Sequence, residues 1–501
     1  MGMRYNPFTQ NFDFAGTGSA LGGMALTVAA NDANATIKAR ADYVCDGTAD
    51  NVQIQAAIDA LPAGGGKVAL SEGTFNLAAT INIDETNAQK GITLEGQGYG
   101  TILHVNNSTN IYAITFIPDT AGIWATFRDF YIQCNGANQT TGGGGIYAAG
   151  AIECLFDNIW VNEPFNYGIH FYEVGVGVFG HHNRITNCLF DQGDNSSGEG
   201  VGIHFQSNDE NRVTNCEFQY MGGAAETYAP VAILDRTGLN IIANNVFVSG
   251  KEGIRILDAS RTIISTNIFD SVVRTNIYLK GRELLVSGNI FYQPQLAATD
   301  NTYNVVRVDF YGKNNVSNNF FKSNETASKT RSFIHDDGSG QNIYANNKFD
   351  IQGAMGTSIV DITSVNNTIE GNVGLSTTHE TKCVWMKNTS GGALAAGDVV
   401  ILKSVAAGDE VTTTTTAGDD KVFGMSTGAL ADATYGFFQI RGKTTLLKVN
   451  GTTDIAVGDF LSTFTTAKIA RKASSGDQAI AIALEAYTAD DSSGVIDALL
   501  I

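Results

Sequence analysis

Several side chains able to bind or cleave a hydroxyl-rich substrate recur at matched positions along this chain. Counting back from a repeated Asn-aromatic phrase gives one row: Tyr147, His170, His204, Leu234, Arg255, Tyr278, Arg307, His335 and Asp361. Alternation places the row outward, because Ile254 and Ile256, or Val306 and Val308, then face in. Arg, His and Tyr donate hydrogen bonds to hydroxyls and carboxylates, and Tyr adds an apolar face. Carboxylates follow at nearly matching offsets: Asp235, Asp258, Asp309 and Asp336. Glycoside hydrolysis needs two carboxyls, about 5–5.5 Å apart for retention or about 6.5–9.5 Å for inversion. Strands stacked ~4.8 Å apart would let Asp235 and Asp258 act as a catalytic pair in either geometry. Glu226 is the candidate general acid, if burial raises its pKa. His204, Arg255, Tyr278, Arg307 and His335, with Tyr228 and Tyr303, form the candidate substrate-binding set. The plainer reading is that Asp residues at strand ends form turns and that the polar row is ordinary sheet surface. A lyase would instead need a base beside a neutralised uronate, a task open to Arg255 and Arg307, but no calcium-loop motif accompanies them.

Other motifs are weaker. His181-His182 sits in a Gly-rich stretch with no third ligand close in sequence, so no metal site is expected there. Gly142 to Gly145 lacks the Lys-Ser/Thr pair and helix start of a phosphate loop. Cys45, Cys134, Cys154, Cys188, Cys216 and Cys383 form no CxxC pair and read as free buried thiols. No cofactor is implied.

The elements that would position these residues follow from a repeat. Asn or a small polar residue, a variable position and an aromatic recur in phrases ending at Tyr131, Trp160, Phe190, Phe218, Phe247, Phe269, Phe291, Phe321 and Phe349, spaced 22 to 30 residues apart. Between them lie β-branched stretches of period two, such as 253–257, 276–280 and 305–310. Each repeat therefore holds about three short strands, too few to bury a face alone. Stacking each strand on its equivalent in the next coil solves that. The predicted fold is an all-β, right-handed, single-stranded parallel β-helix of about ten coils over residues 37–380. Two residues before the aromatic stand Asp129, Asn158, Cys188, Cys216, Asn245, Asn267, Asn289, Asn319, Asn347 and Asn372, a predicted amide ladder. The coils ending at Phe269 and Phe291 are the shortest, and insertions at 191–202, 219–231, 292–304 and 322–332 would wall a cleft around them.

An open solenoid end needs a cover. Asp50 with Gln53 is a helix-start signal, and Ile54, Ala57, Ile58 and Leu61 make an apolar stripe that ends at Pro62. The order Asp46-Gly47, Asp50, Ile54-Gln55, Ala57-Ile58, Gly64 to Gly66, Val68 and Gly73-Thr74-Phe75 resembles the N-terminal cap of the pectate-lyase-like β-helix superfamily, including phage tailspikes. With the coils, the resemblance spans about residues 40 to 375. It implies the same fold and a superfamily that holds lyases, hydrolases and adhesins alike, so chemistry is not fixed by it.

The ends differ from the middle. Arg4-Tyr5-Asn6-Pro7-Phe8-Thr9 with Asn11-Phe12-Asp13-Phe14 resembles the docking leader of phage tail and head-fibre proteins, and 1–36 is expected to be such a leader and a linker, with 20–30 in the linker. Residues 381–501 change to short strands joined by Gly-Asp turns and resemble the β-domains of phage capsid-fibre and head-decoration proteins, implying trimerisation or attachment. Gly397-Asp398 and Gly458-Asp459 fit turns rather than catalysis. The start lacks the apolar core of a secretory signal, and no apolar run is long enough to span a membrane. A net charge of −19 repels phosphate backbones and argues against nucleic acid as a partner.

The expectation that follows is a homotrimeric virion protein, made in the host cytoplasm, that binds lipopolysaccharide or capsule and can act as a polysaccharide depolymerase, hydrolase ahead of lyase. Other phage tail or capsid proteins would be partners through the leader. The alternatives are a structural or adhesive fibre component without activity, and a free bacterial enzyme.

Overall fold

A computed structural model describes residues 2–6, 11–15, 24–84, 91–117, 122–173, 180–195, 197–223, 231–293, 303–309, 312–323, 330–337, 340–351, 360–362, 367–370, 372–376, 379–403 and 410–501. The chain forms two compact units, Met1–Ala259 and Ser260–Ile501. The fold is a right-handed parallel β-helix with a small C-terminal β-domain, and coils occur in both units.

In the first unit each full coil supplies three or four strands, all short because its apolar residues alternate only over short runs. One set contains Tyr112–Ile117, Gly144–Ala149, Tyr167–Tyr172, Val201–Phe205 and Val231–Asp235, paired parallel and in register. Ile146, Ile169, Ile203 and Ile233 stand in successive rows of that register and are fully buried. On another side Phe190, Phe218 and Phe247 stack with centroids 4.9 Å apart and planes 6–7° from parallel. The predicted aromatic column is therefore present.

It does not begin where the repeat suggested. Trp160 pairs with Leu189, and Val161 pairs with Phe190. Tyr131 and Trp160 belong to the opposite face and pack on each other at 4.7 Å. Aromatics occupy both faces of these strands, so aligning on aromatics alone slipped by one residue, which in a pleated strand exchanges inside for outside. The same slip moves Asp129 and Asn158 out of the amide ladder: they adopt left-handed φ of 59° and 52° and match Asn187 and Asn215 at 55° and 57°. The inward column is Ile159, Cys188, Cys216 and Asn245. Asn245 Oδ1 accepts from the Cys216 backbone N–H at 2.9 Å, and its amide donates to the Val213 carbonyl at 3.0 Å. The thiols of Cys45, Cys134, Cys154, Cys188 and Cys216 are free and buried, as expected.

The cap begins earlier than predicted. Residues 24–29, read as linker, form the strand Met24–Ala29, paired parallel with Gly66–Leu70. Leu26, Val28 and Ala29 are buried there, so an apolar run interrupted by Gly is a first rung rather than a tether. The helix Asn51–Asp59 buries Ile54, Ala57 and Ile58, as the stripe required. Asp50 does not cap that helix with its side chain; it accepts from the backbone N–H groups of Gly47 at 2.8 Å and Asn76 at 2.7 Å. Gln55 clamps the edge strand Ile81–Asp84 by pairing both its amide atoms with the Asn82 backbone at 2.8 and 2.9 Å. This supplies partners that an exposed strand edge would lack. Gly73 has φ +118°, and a Cβ there would meet Asp32 at 2.3 Å, which explains the glycine of the cap motif. Gly2–Asn6 and Asn11–Ala15, in the expected leader, pair as an antiparallel hairpin.

In the second unit the coils continue with Ile277–Arg282, Tyr303–Val308 and Thr330–Asp336 in one parallel set. Phe269, Phe291, Phe321 and Phe349 stack at 4.6 to 4.9 Å. Beside them the amide ladder runs as predicted: the backbone N–H groups of Asn267, Asn289, Asn319 and Asn347 donate to the side-chain oxygens of Asn289, Asn319, Asn347 and Asn372 at 2.9–3.0 Å.

The C-terminal β-domain is two similar small folds sharing the long strand Tyr435–Val449. Its first part pairs with His379–Asn388 and its second with Gly494–Leu500. One core gathers Met386, Leu394, Val400, Val411 and Phe438; the other includes Leu447, Ile455, Leu461 and Ile496. The sequence repeats in step: Ala395 N–H donates to Asp398 at 2.8 Å, and Ala456 N–H to Asp459 at 2.7 Å. Both Gly-Asp pairs are thus turns, as expected.

Candidate functional site

The outward row is in register wherever it can be followed within one unit. In the first unit Tyr147, His170, His204, Leu234 and Arg255 are successive partners. In the second, Tyr278, Arg307, His335 and Asp361 are. The row faces away from the coil interior, but much of it is covered. His204 is 1% exposed and Leu234 fully buried, inside an apolar cluster with Tyr167, Val201 and Val231. His170 and His204 stack 4.8 Å apart, and Tyr167 lies within 4.8 Å of both rings. Burial lowers the His170 pKa to about 4 and that of His204 to about 2, so both rings are neutral. His204 is therefore part of an aromatic layer rather than an exposed sugar ligand, a correction to its expected role. Arg255 is half-buried and engages the buried Glu252 carboxylate through contacts of 2.7–3.0 Å.

The expected catalytic pair does not assemble. Asp235 is fully buried, and its Oδ1 accepts from Thr237 N–H, Thr237 Oγ1 and Gly238 N–H at 2.9–3.1 Å. It is a turn former of the kind Asp residues make at strand ends. Its partner on the next coil is Ile256, so exposed Asp258 lies two residues further along, at a left-handed φ of 60°. Glu226 and Tyr228 lie outside the described residues, as do 196, 224–230, 294–302 and 324–329 of the insertions expected to wall a cleft.

The second unit holds the better cluster. The Tyr278 hydroxyl donates to Asp309 Oδ2 at 2.7 Å, and Arg307 Nε donates to Asp309 Oδ1 at 3.0 Å. Arg307 lies 5.6 Å over the Tyr278 ring and 3.9 Å from Asp337, which meets His335 Nε2 at 2.8 Å. Burial opposes the Arg307 charge, but the adjoining Asp309 carboxylate outweighs it and raises the pKa. Asp309 and Asp337 each follow a row residue by two positions, and Arg307 pairs with His335. They therefore occupy equivalent places on successive coils, ~4.8 Å apart in backbone spacing. That is the arrangement sought in Asp235 and Asp258. Sequence reasoning chose Asp336 instead, but Asp336 is fully buried and accepts from Asn342, Tyr344 and Asn367 at 2.8–3.0 Å. Alternation carried the signal, since Asp309 and Asp337 share parity with the outward row while Asp336 does not. Tyr303 stands apart in contact with Arg274, whose guanidinium lies 5.6 Å over its ring. Asp309 has 3% side-chain exposure and Asp337 43%, so one carboxylate is sheltered and one faces solvent. His335 is 2% exposed, as buried as His204, and meets a ligand only through Asp337. Arg307, Tyr278 and Asp337 are therefore the groups able to bind hydroxyls or an anionic group, and Asp337 can exchange a proton.

His181 and His182 were expected to lack a third ligand. The fold supplies Glu210 from the next coil, with His182 Nε2 at 2.6 Å from its carboxylate.

A family model described as right handed beta helix region matches residues 112–291. No curated protein matches the chain. Among solved structures, a mannuronan C-5 epimerase A-module from Azotobacter vinelandii is 16% identical, with 66% of this chain and 97% of that one covered and a TM-score of 0.47. ORF18 of Geobacillus virus E2 is 14% identical, covering 79% and 74%, with a TM-score of 0.46. The surface adhesin PfbA of Streptococcus pneumoniae is 15% identical, covering 66% and 94%, with a TM-score of 0.45.

Proposed function

We propose that the chain is a tailspike-like virion protein that binds host cell-surface polysaccharide, with the cluster around Arg307 as its sugar-contacting site. The observation that supports this reading is the in-register triple Tyr278, Arg307 and His335 with Asp309 and Asp337 beside it. An extended polysaccharide repeats along its length, and a solenoid repeats its side chains at ~4.8 Å, so one can track the other. Arg307 favours acidic sugars. Asp309 and Asp337, in place of Asp235 and Asp258, make hydrolysis the chemistry to test, ahead of elimination, with Glu226 kept as the candidate general acid. The leader-like start and the C-terminal β-domain suit attachment to a particle and assembly as a homotrimer.

The test is incubation with purified lipopolysaccharide and capsule from hosts the particle infects, scoring retention, new reducing ends and an ultraviolet-absorbing unsaturated product. Retention lost on Arg307→Ala supports the site. Absence of retention on every such glycan refutes the reading. A purely adhesive role is the second reading, favoured by the burial of His204 and Asp235, and retention with neither product would establish it.

A further inference from the structure

We propose that His181, His182 and Glu210 bind a divalent first-row transition ion, zinc above all. The three side chains come from a corner where coils meet edge to edge. The short strand Gly180–His181 pairs parallel with Asn208–Asp209, with His181 opposite Asp209, so His182 and Glu210 follow as equivalent residues on successive coils. Both have left-handed φ, 59° and 55°, which turns their side chains outward at the same bend. His181 is half-buried and the other two are exposed.

The donor atoms converge. His181 Nδ1 lies 3.0 Å from His182 Nδ1, with the rings 87° apart, and one ligand atom from each of the three residues lies within 4.8 Å of the others. Two imidazole nitrogens facing each other at hydrogen-bond distance can share only one proton, and protonating both would set like charges together. Without an ion, His181 can donate to His182 Nδ1 while His182 Nε2 meets Glu210 at 2.6 Å. Binding one ion through a single His182 nitrogen therefore requires that ring to turn and exchanges these two contacts for three metal bonds. Ligands at about 2.0–2.2 Å from zinc sit about 3–3.5 Å from one another, so the three side chains, whose ligand atoms lie within 4.8 Å, must draw closer as the His182 ring turns. Two imidazoles and a carboxylate are borderline donors that suit zinc and its neighbours over magnesium or calcium, and three protein ligands leave a coordination position to solvent. The ion would tie two coils together at a bend otherwise held by backbone bonds such as His182 N–H to the Asp209 carbonyl at 3.3 Å.

The experiment is zinc titration of the full-length, untagged, chelator-treated chain against a competing fluorescent chelator, with metal content by mass spectrometry after dialysis. One equivalent of zinc per chain is expected, with affinity falling at least roughly tenfold in His182→Ala and in Glu210→Gln, because each removes a ligand. Zinc should also raise the unfolding temperature of the parent chain and not of Glu210→Gln, while excess magnesium or calcium has no effect. Glu210→Gln keeps size and exposure, so a folding defect is not expected, and far-ultraviolet circular dichroism checks that. Equal zinc retention in the parent and both variants, or no retention in the parent at micromolar free zinc, overturns the proposal.

Discussion

The imidazoles of His170 and His204 lie face to face, centroids 4.8 Å apart and planes 4° from parallel. His170 also bonds Gln206 Oε1 at 3.0 Å. Stacked, buried rings tolerate each other only while uncharged, so their pKa values fall to about 4 and about 2 from an ordinary 6.5. The folded state then binds fewer protons than the unfolded state, and the stabilisation is complete above pH 6.5 and is lost as pH falls towards 4 and then 2. Each histidine contributes a slope of up to about 1.4 kcal/mol per pH unit in that window. Chemical denaturation at pH 7 and pH 4.5 should show the loss, and His170→Phe with His204→Phe should flatten the difference.

Asn289 accepts from the backbone N–H and side-chain amide of Asn267, and its own amide donates to Asn319 and the Ile264 carbonyl, all at 3.0 Å. Asn289→Ala strands at least two buried polar groups at about 1–3 kcal/mol each. The expected loss is about 2–5 kcal/mol by equilibrium denaturation. A loss under half a kcal/mol would mean the ladder contributes little.

Phe218 is buried between Phe190 and Phe247. Phe218→Ala opens a cavity that two rigid neighbours cannot fill, with a cost of about 3–5 kcal/mol. Phe218→Leu should cost clearly less. Calorimetry of the two variants decides it.

Asp309→Asn and Asp235→Asn separate a site from a turn. The first should abolish glycan cleavage, if cleavage occurs, and leave the melting temperature within a few degrees. The second keeps the Oδ1 that accepts all three turn bonds, so it should leave stability and cleavage near the parent values. Asp235→Ala removes those bonds and should cost about 1–3 kcal/mol with cleavage intact. The reverse pattern would return Asp235 to the mechanism.

The coil repeat, the phenylalanine column and the capping helix were legible because each depends on side-chain period. What failed depends on distance across coils. Aromatics on both faces hid the one-residue slip at Trp160. Asp235 and Asp309 are both buried and differ in their partners: turn groups hold the first, and Tyr278 and Arg307 hold the second. A second amide ladder passed unnoticed: Asn183, Asn211 and Asn240, and then Asn314, Asn342 and Asn367, each five residues before a member of the first. Within it the Asn183 and Asn211 backbone N–H groups donate to Asn211 and Asn240 at 3.1 and 2.8 Å, and those of Asn314 and Asn342 to Asn342 and Asn367 at 2.9 and 2.8 Å. That spacing was readable, and it would have set His182 beside Glu210, since each precedes a ladder asparagine.

The residues just before that second ladder share one unusual backbone state. Glu153, His182, Glu210 and Leu239 in the first unit, and Arg261, Glu283, Lys313 and Gln341 in the second, all have φ between 50° and 70° and all are exposed. The asparagine, or its substitute, directly behind each one is buried and holds the bend. Shape is therefore set by one position and chemical character by its neighbour. An edge built this way can exchange acid, base, imidazole or hydrocarbon rung by rung without refolding, and so offers a lineage a place to write new binding specificity onto an unchanged coil.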